Sequence, residues 1–516
     1  MNKQIRGKIN GLARIVFVAL LMLGQALFIL LCTTWLQQES SILYFFMEIL
    51  GLVVVLVLIS SGINASYKVV WIIIILMLPV FGAWIYIAWG RGSIGRNDRQ
   101  RFYETETLLK PFIHQDMRVD YIFEQNCPEY VRISHYLQQS GYPLYHGAKR
   151  VEFYPSGEVF FPNLYQELRS AKKYIFLEFF IISEGEIWSQ IKKILIEKAR
   201  AGVQIRILYD DVGSLMTLKA GFEQDLKQYG IEVVKFNPVN HYIYEFYLNY
   251  RNHQKIVVID GEKALTGGIN LSDEYANIYP KHGYWKDTFM LVEGEPAQSL
   301  LGIFLKMWDV GRRETSQDYE AYFPAAPEET QHVPGYFQPF ADGPVNSILN
   351  PVEDSYKQMI GTARNYCYIT SPYLVLDDEM VSILTRAARS GVDVRIIVPY
   401  IHDHWYTKIA TQSFFQRLLE GGVKIYEFMP GFIHGKMVVC DDRTAILGSI
   451  NLDFRSLFLH YEDGVWMCDT PMVGRIKEDI LATLDQSQLV DLEEWKKRPW
   501  WKKVIQLVFG IFSPVM

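Results

Sequence analysis

The chain has 516 residues, half of them hydrophobic and 21% charged, with 51 Lys and Arg against 57 Asp and Glu for a net charge of -6. This length and apolar content allow two or three domains with cores of their own and exclude an intrinsically disordered chain. The slightly acidic balance supplies no bulk positive field for a phosphate backbone, which argues against a dedicated nucleic-acid binder.

The apolar residues are concentrated in the first hundred positions. Residues 15–36 form an uncharged run long enough to cross the hydrocarbon as a helix, preceded by Lys3, Arg6, Lys8 and Arg14. The run is too long for a signal-peptide core and ends without a small-residue cleavage site, so a retained anchor is expected. A second run, 42–61, contains Glu48, and a third, 69–89, contains Pro79 and Gly82; both read as further spans. Basic residues flank the set at both ends, with Arg91, Arg96, Arg99 and Arg101 after the third run. Three crossings cannot put both ends on the cytoplasmic side. The Glu48 segment is therefore expected not to cross fully, which leaves a multi-pass transmembrane region at 1–96 and a cytoplasmic main body.

From about residue 97 strand-like apolar runs alternate with helix-patterned stretches, the signature of an α/β fold. The text also repeats. Residues 201–208 (AGVQIRIL) match 390–397 (SGVDVRII) at an offset of 189, and 230–238 match 422–430 at an offset of 192. Each copy reads as strand (174–180; 366–370), helix (186–201; 378–390) and strand (203–209; 392–398), so two similar lobes packed about a pseudo-twofold axis are expected. The expected boundaries are 97–340 for the first lobe with a linker segment, 341–490 for the second, and 491–516 for a tail. In that tail Lys496, Lys497, Arg498, Lys502 and Lys503 flank Trp500 and Trp501 ahead of nine residues, mostly apolar, 504–512. These are too few to span but suited to lie in an anionic interface. The five cysteines, 32, 127, 367, 440 and 468, form no Cys-x-x-Cys pair and read as structural thiols in a reducing compartment.

Each lobe ends in one constellation: His253, Lys255, Asp260 and then Gly268 and Asn270; His434, Lys436, Asp441 and then Ser449 and Asn451. The two sets are offset by 181, and a Tyr- and Phe-rich insertion at 239–252 accounts for the change from 192. On a strand, His-x-Lys puts both side chains on one face. Asp260 and Asp441, at the far ends of the strands, are too distant for direct attack and are expected to be structural. Two His, two Lys and two Asn meeting at a twofold interface would make a cationic, donor-rich pocket fit for phosphoryl transfer. A lone strand histidine is usually a satisfied core residue; its duplication with Lys, Asp and Asn preserved reverses that reading. Residues 431–436 fall one short of a P-loop, and Met437 stands where Ser or Thr would be needed. His402 and His404 have no partner cluster in sequence and read as a solvated loop.

These paired His-x-Lys-x4-Asp motifs resemble those of the phospholipase D superfamily, and the surrounding residues are similar to bacterial cardiolipin synthases. The likeness extends over Pro79 to Gly82, Asn249 to His253, Thr266 to Asn270, Asp273 to Tyr275, Trp285 to Asp287, Asn451 to Ser456 and Phe512 to Pro514. Gln254 departs from it, standing where the family usually has Arg, and the resemblance puts one phosphate contact in question there. The resemblance implies that one histidine attacks phosphorus to give a phosphohistidine while the other protonates the leaving alcohol and deprotonates the incoming one. Lys255 and Lys436 would neutralise the phosphoryl oxygens, Asn270, Asn451 and Ser449 would donate to them, and neither a metal nor a cofactor is implied. Of the carboxylates that orient the imidazoles, Glu462, 28 residues after His434, matches the family position, and Asp287 is the candidate beside His253. The implied reaction joins two phosphatidylglycerol molecules into cardiolipin with loss of glycerol at the bacterial cell membrane. Hydrolysis of phospholipid to phosphatidic acid is the alternative, and oligomeric state is not implied.

Overall fold

A computed structural model describes residues 41–90, 94–113, 115–238, 249–324, 333–345 and 349–515. The anchor expected at 15–36, Cys32 and most of the 239–252 insertion lie outside these residues. The body is built on two sheets of like order. The first has seven strands: β2 (Arg150–Tyr154), β9 (Phe289–Glu293), β7 (Lys263–Gly267), β6 (Ile256–Ile259), β3 (Tyr174–Phe179), β4 (Gln204–Asp210) and β5 (Glu232–Phe236). The second runs β1 (Tyr145–Ala148), β10 (Val333–Asp342), β17 (Glu462–Cys468), β16 (Thr444–Gly448), β15 (Met437–Cys440), β11 (Tyr366–Thr370), β12 (Asp393–Pro399), β13 (Lys424–Phe428) and β18 (Ser487–Leu489). Removing the edge strands β1 and β18 leaves the order of the first sheet. In both, the parallel trio (β3, β4, β5; β11, β12, β13) is joined to an antiparallel meander through the His-x-Lys strand, β6 or β15.

The sequence explains these choices. β3 (YIFLEF) and β11 (YCYIT) are buried at every position, as central strands covered on both faces must be. The helix Glu186–Arg200 between β3 and β4 buries Ile187, Trp188, Ile191, Ile194 and Leu195, a 3.6-residue stripe against its sheet. The helix Glu295–Arg312 is buried at every position from Ser299 to Val310 and packs on β5, β6 and β7 of one sheet and β10 of the other, so the lobes share one continuous core. A short parallel pair, β8 (Tyr284–Lys286) with β14 (Gly431–Ile433), takes one strand from each lobe and stitches the interface.

The lobes do not divide at residue 341. β10 pairs with β17 from Tyr336 opposite Cys468 to Asp342 opposite Glu462, and β1 pairs with β10, so residues 145–148 and 333–342 belong to the second sheet. The run at 42–61 is one helix, Ser41–Ser60, and Lys68 Nζ donates to Ile59 O in its last turn (3.0 Å) and to Ser61 O just beyond it (2.5 Å). The run at 69–89 is not a continuous span. It breaks at Leu78, before Pro79, into Ala65–Met77 and Pro79–Ile85, with a wide turn to Gly90. The short second piece folds back so closely that a Cβ on Gly82 would stand 2.6 Å from Ile74 O. Among the residues whose side chains are described, no helix is long and apolar enough to cross a membrane. The tail forms a helix, Trp500–Phe512, with no buried residue, lying against Trp405–Ser413 through a Trp405–Phe509 contact (5.7 Å between ring centres). Beyond it Ser513 and Pro514 are buried beside the helix Ala65–Met77.

Candidate active site

β6 and β15 each begin just after a His-x-Lys, and the segment leading into each histidine is hydrogen-bonded to the opposite lobe. His253 N donates to Tyr461 O (2.9 Å) and Tyr461 N to Arg251 O (2.9 Å), while His434 N donates to Lys286 O (2.6 Å). Both histidines are thereby brought to the lobe interface, each 6% exposed.

Their carboxylate partners are exchanged across it. His253 Nδ1 lies 2.8 Å from Glu462 Oε1 and 3.0 Å from Oε2, and His434 Nδ1 lies 2.6 Å from Asp287 Oδ2. This corrects the expected pairing, which joined Asp287 to His253 and left Glu462 to His434. The reason lies in the topology. Asp287, two residues before β9, and Glu462, the first residue of β17, occupy equivalent places where the two sheets approach through β7, β9, β16 and β17, and each reaches into the neighbouring lobe. The two corners differ in one detail. A Cβ on Gly268 would stand 2.1 Å from Asp287 Oδ1, so only glycine fits there, whereas its counterpart Ser449 donates its hydroxyl to the longer Glu462. Ser449 is thus spent on orienting Glu462, not on a phosphoryl oxygen as expected.

Lys255 and Lys436 are fully buried, and each Nζ donates to the carbonyl of the histidine two residues before it. Burial pushes Lys255 down to about 8 against the pull of Glu462, and pushes Lys436 down to about 7 against the pull of Asp287. Burial and Lys436 lower His434 to about 4; burial with Lys255 and Lys436 takes His253 well below the ordinary histidine range. Glu462 is raised by burial to about 7. Asp287 is held below the usual carboxylate range because the charges of His434 and Lys436 outweigh its burial. Two neutral imidazoles with free Nε2 lone pairs therefore face two cations that await an anion.

Of the other expected residues, the two aspartates stand away from the histidines. Asp260 accepts from Lys172 N, Lys173 N and Tyr174 N (2.8, 2.7 and 2.9 Å), and Asp441 from Arg364 N, Asn365 N and Tyr366 N (2.6, 2.9 and 2.9 Å). Each clamps the start of the central strand at the far end of its sheet. Asn270 accepts from Ile181 N (3.0 Å) and donates to Tyr275 Oη (2.7 Å), and Asn451 is 5% exposed with an unpartnered Oδ1. Gln254 does not face the phosphoryl site: its amide donates to Glu462 O (3.1 Å) across the interface. Asp403, between His402 and His404, accepts from Tyr373 Oη (2.5 Å).

Residues not expected in the site are aromatic or act in support. Phe180 stands edge-on to His253 (5.1 Å), Tyr275 and Trp285 lie 5.5 and 5.4 Å from His434, and together they dry the pocket. Asp463 accepts from Thr266 Oγ1 in the other lobe. His460 lies 5.8 Å from the His253 ring, and its position two residues before Glu462 was the available signal. Among the described residues two groups have ligand atoms close enough for a metal: Cys127, Cys468 and Asp469, and His253, His460 and Glu462.

The family model described as cardiolipin synthase, PLD-like domain, matches residues 164–308 and again 356–483. The chain belongs to the cardiolipin synthase family. A second model, phospholipase D-nuclease N-terminal, matches residues 49–91. Cardiolipin synthase 2 of Bacillus anthracis is 32% identical over 461 residues, covering 88% of this chain and 87% of its own. Cardiolipin synthase of Halalkalibacterium halodurans is 37% identical over 365 residues, 70% of this chain and 71% of its own. An uncharacterized protein of Streptococcus mutans is 37% identical over 469 residues, 90% of this chain and 99% of its own. Among solved structures, phosphatidylserine synthase of Haemophilus influenzae superposes with a TM-score of 0.58 at 16% identity over 74% of this chain and 97% of its own, a likeness of fold.

Proposed function

We propose that this member of the cardiolipin synthase family transfers the phosphatidyl group of one phosphatidylglycerol to a hydroxyl of a second, giving cardiolipin and glycerol. The observation that carries the reading is the composite centre, in which each neutral imidazole is held by a carboxylate of the opposite lobe beside a buried lysine. One neutral Nε2 attacks phosphorus, the other imidazole, having taken a proton from solvent onto its Nε2 as the phosphodiester anion binds beside it, delivers that proton to the departing glycerol, and Lys255 and Lys436 neutralise the non-bridging oxygens as charge develops. The second imidazole then takes the proton of the incoming hydroxyl, whose oxygen displaces the phosphohistidine. Glu462 and Asp287 fix the tautomer that leaves each Nε2 available. Burial of both histidines and the aromatic wall favour a lipid alcohol over water as acceptor.

A membrane location fits the same reading. Leu50, Leu52, Leu56 and Val57 of Ser41–Ser60 and Trp500, Leu507 and Val508 of the tail helix are exposed, and the buried Ser513 and Pro514 hold the tail beside the N-terminal helices. The two apolar surfaces serve one lipid-facing side, with the catalytic body cytoplasmic.

The test is incubation of purified protein with labelled phosphatidylglycerol in micelles containing EDTA. Cardiolipin and glycerol in equal amounts are expected; phosphatidic acid as the main product would assign a hydrolase instead.

A further inference from the structure

We propose that His253, His460 and Glu462 form a binding site for a divalent transition-metal ion, zinc in the first place, and that its occupation switches the enzyme off. One ligand atom from each residue lies within 4.8 Å of the other two. His460 Nδ1 stands 3.9 Å from Glu462 Oε1, the same oxygen that accepts from His253. Two imidazole nitrogens and one carboxylate oxygen suit zinc, which takes three protein ligands and keeps a fourth position open. Ligand atoms about 2 Å from the ion sit roughly 3.3 Å apart in a tetrahedron, so side-chain rotations of about 1 Å complete the set.

His460 has no other evident use. Its side chain is 10% exposed, yet neither ring nitrogen has a hydrogen-bond partner, an expensive state for a buried imidazole. It stands in the wall of a cavity of about 640 Å³ between the N-terminal helices and the second lobe. Five carboxylates line that cavity, Glu353 and Asp377 among them, against the cations Arg99 and Lys357. Glu353 Oε1, also buried, lacks a partner. Arg455, Arg251 and Lys255 lie near enough to oppose a divalent ion at His460, which sets the site's affinity below that of a structural zinc.

The proposal rests on the reading that His253 takes part in phosphatidyl transfer. His253 now donates from Nδ1 to Glu462 and keeps its lone pair on Nε2. An ion bound at Nδ1 needs the lone pair there, so the ring proton leaves Nδ1 for Nε2 through solvent, with no net gain or loss. Nε2–H can neither attack phosphorus nor accept a proton from an alcohol.

The full-length protein in detergent micelles, stripped with EDTA and titrated with Zn²⁺, tests this in two measurements, on the wild type and on His460→Asn. Zinc is expected to inhibit the wild type reversibly. In His460→Asn the inhibiting concentration should rise about tenfold or more, and equilibrium dialysis should show one equivalent fewer bound, any zinc on Cys127 and Cys468 being common to both proteins. Equal inhibition and equal binding in the two would overturn the site. Should His460→Asn not fold, exchange of histidine C2 protons in the wild type decides. Zinc is expected to slow His253 and His460 together, and no change at either overturns the proposal. A wild type that makes no cardiolipin would refute the function reading alone, since dialysis and exchange still report on the metal.

Discussion

Lys255 and Lys436 dominate the pH dependence expected of this enzyme. Buried lysines at about 8 and about 7 lose their charge as pH rises through those values, and a neutral amine gives a phosphodiester no counter-charge. On the acid side Glu462, at about 7, takes up a proton first and gives up its hold on His253, and the His434 lone pair is protonated only below about 4. The kcat/KM profile, which reports the free enzyme, is therefore expected to peak near neutral pH and to fall by up to tenfold per unit above about 7, more steeply once both lysines lose their charge above about 8. A profile level to pH 9 would show the lysines are not the anion's partners. Asp260 acts differently: three backbone N–H groups and a left-handed turn (φ 56°) depend on it. Because Lys172 and Lys173 lie exposed and water can replace part of what is lost, Asp260→Ala is expected to cost about 2 kcal/mol in denaturant unfolding. His253→Ala and His434→Ala should leave stability nearly intact and abolish turnover. At this scale the sequence was highly legible, because His, Lys, Asp and Asn recur at one spacing. Ser449 and Gln254 were misread, since their side chains serve Glu462, whose reach into the other lobe no spacing reveals.

Among the elements, the tail helix bears the most direct test of the lipid-facing side. Leu507 is 63% exposed on a helix with no buried residue, so Leu507→Asp should leave the fold unchanged. It removes an apolar side chain worth about 2 kcal/mol from an interface and adds a charge that anionic lipid repels. Co-sedimentation with phosphatidylglycerol vesicles is expected to weaken tenfold or more, while activity on short-chain substrate in solution stays. Unchanged vesicle binding would move the lipid-facing surface elsewhere. Periodicity found the helices and central strands because burial on one or both faces is written into them, as in Glu186–Arg200 and β3. It failed at 69–89, where hydropathy is continuous but Leu78 and Pro79 break the backbone and Gly82 lets the chain fold back on Ile74. It also misplaced the lobe boundary, because β10 pairs with β17, more than a hundred residues away, and nothing local marks that partner.

For the whole molecule, the exchanged carboxylates mean that neither lobe carries a complete catalytic half. Glu462→Gln leaves β17 in place but takes away the acceptor that fixes the His253 tautomer. A loss of 10²- to 10⁴-fold in kcat is expected, and the His253 ring nitrogens, but not those of His434, should shift in ¹⁵N spectra. Asp287→Asn should do the reverse. Equal shifts at both rings would refute the exchange. The duplication was visible as repeated text, and it predicted two lobes meeting at one site; which carboxylate serves which histidine follows only from how the two sheets approach each other. The central claim is that this composite centre forms a covalent phosphatidyl-histidine before a second lipid accepts the group. Its most direct test is to mix the enzyme with radiolabelled phosphatidylglycerol, quench in alkali within the first turnover and map the labelled peptide. Label on His253 or His434, chased into cardiolipin by unlabelled phosphatidylglycerol, is the expected result. Cardiolipin formed in that turnover with no label on either histidine would contradict it.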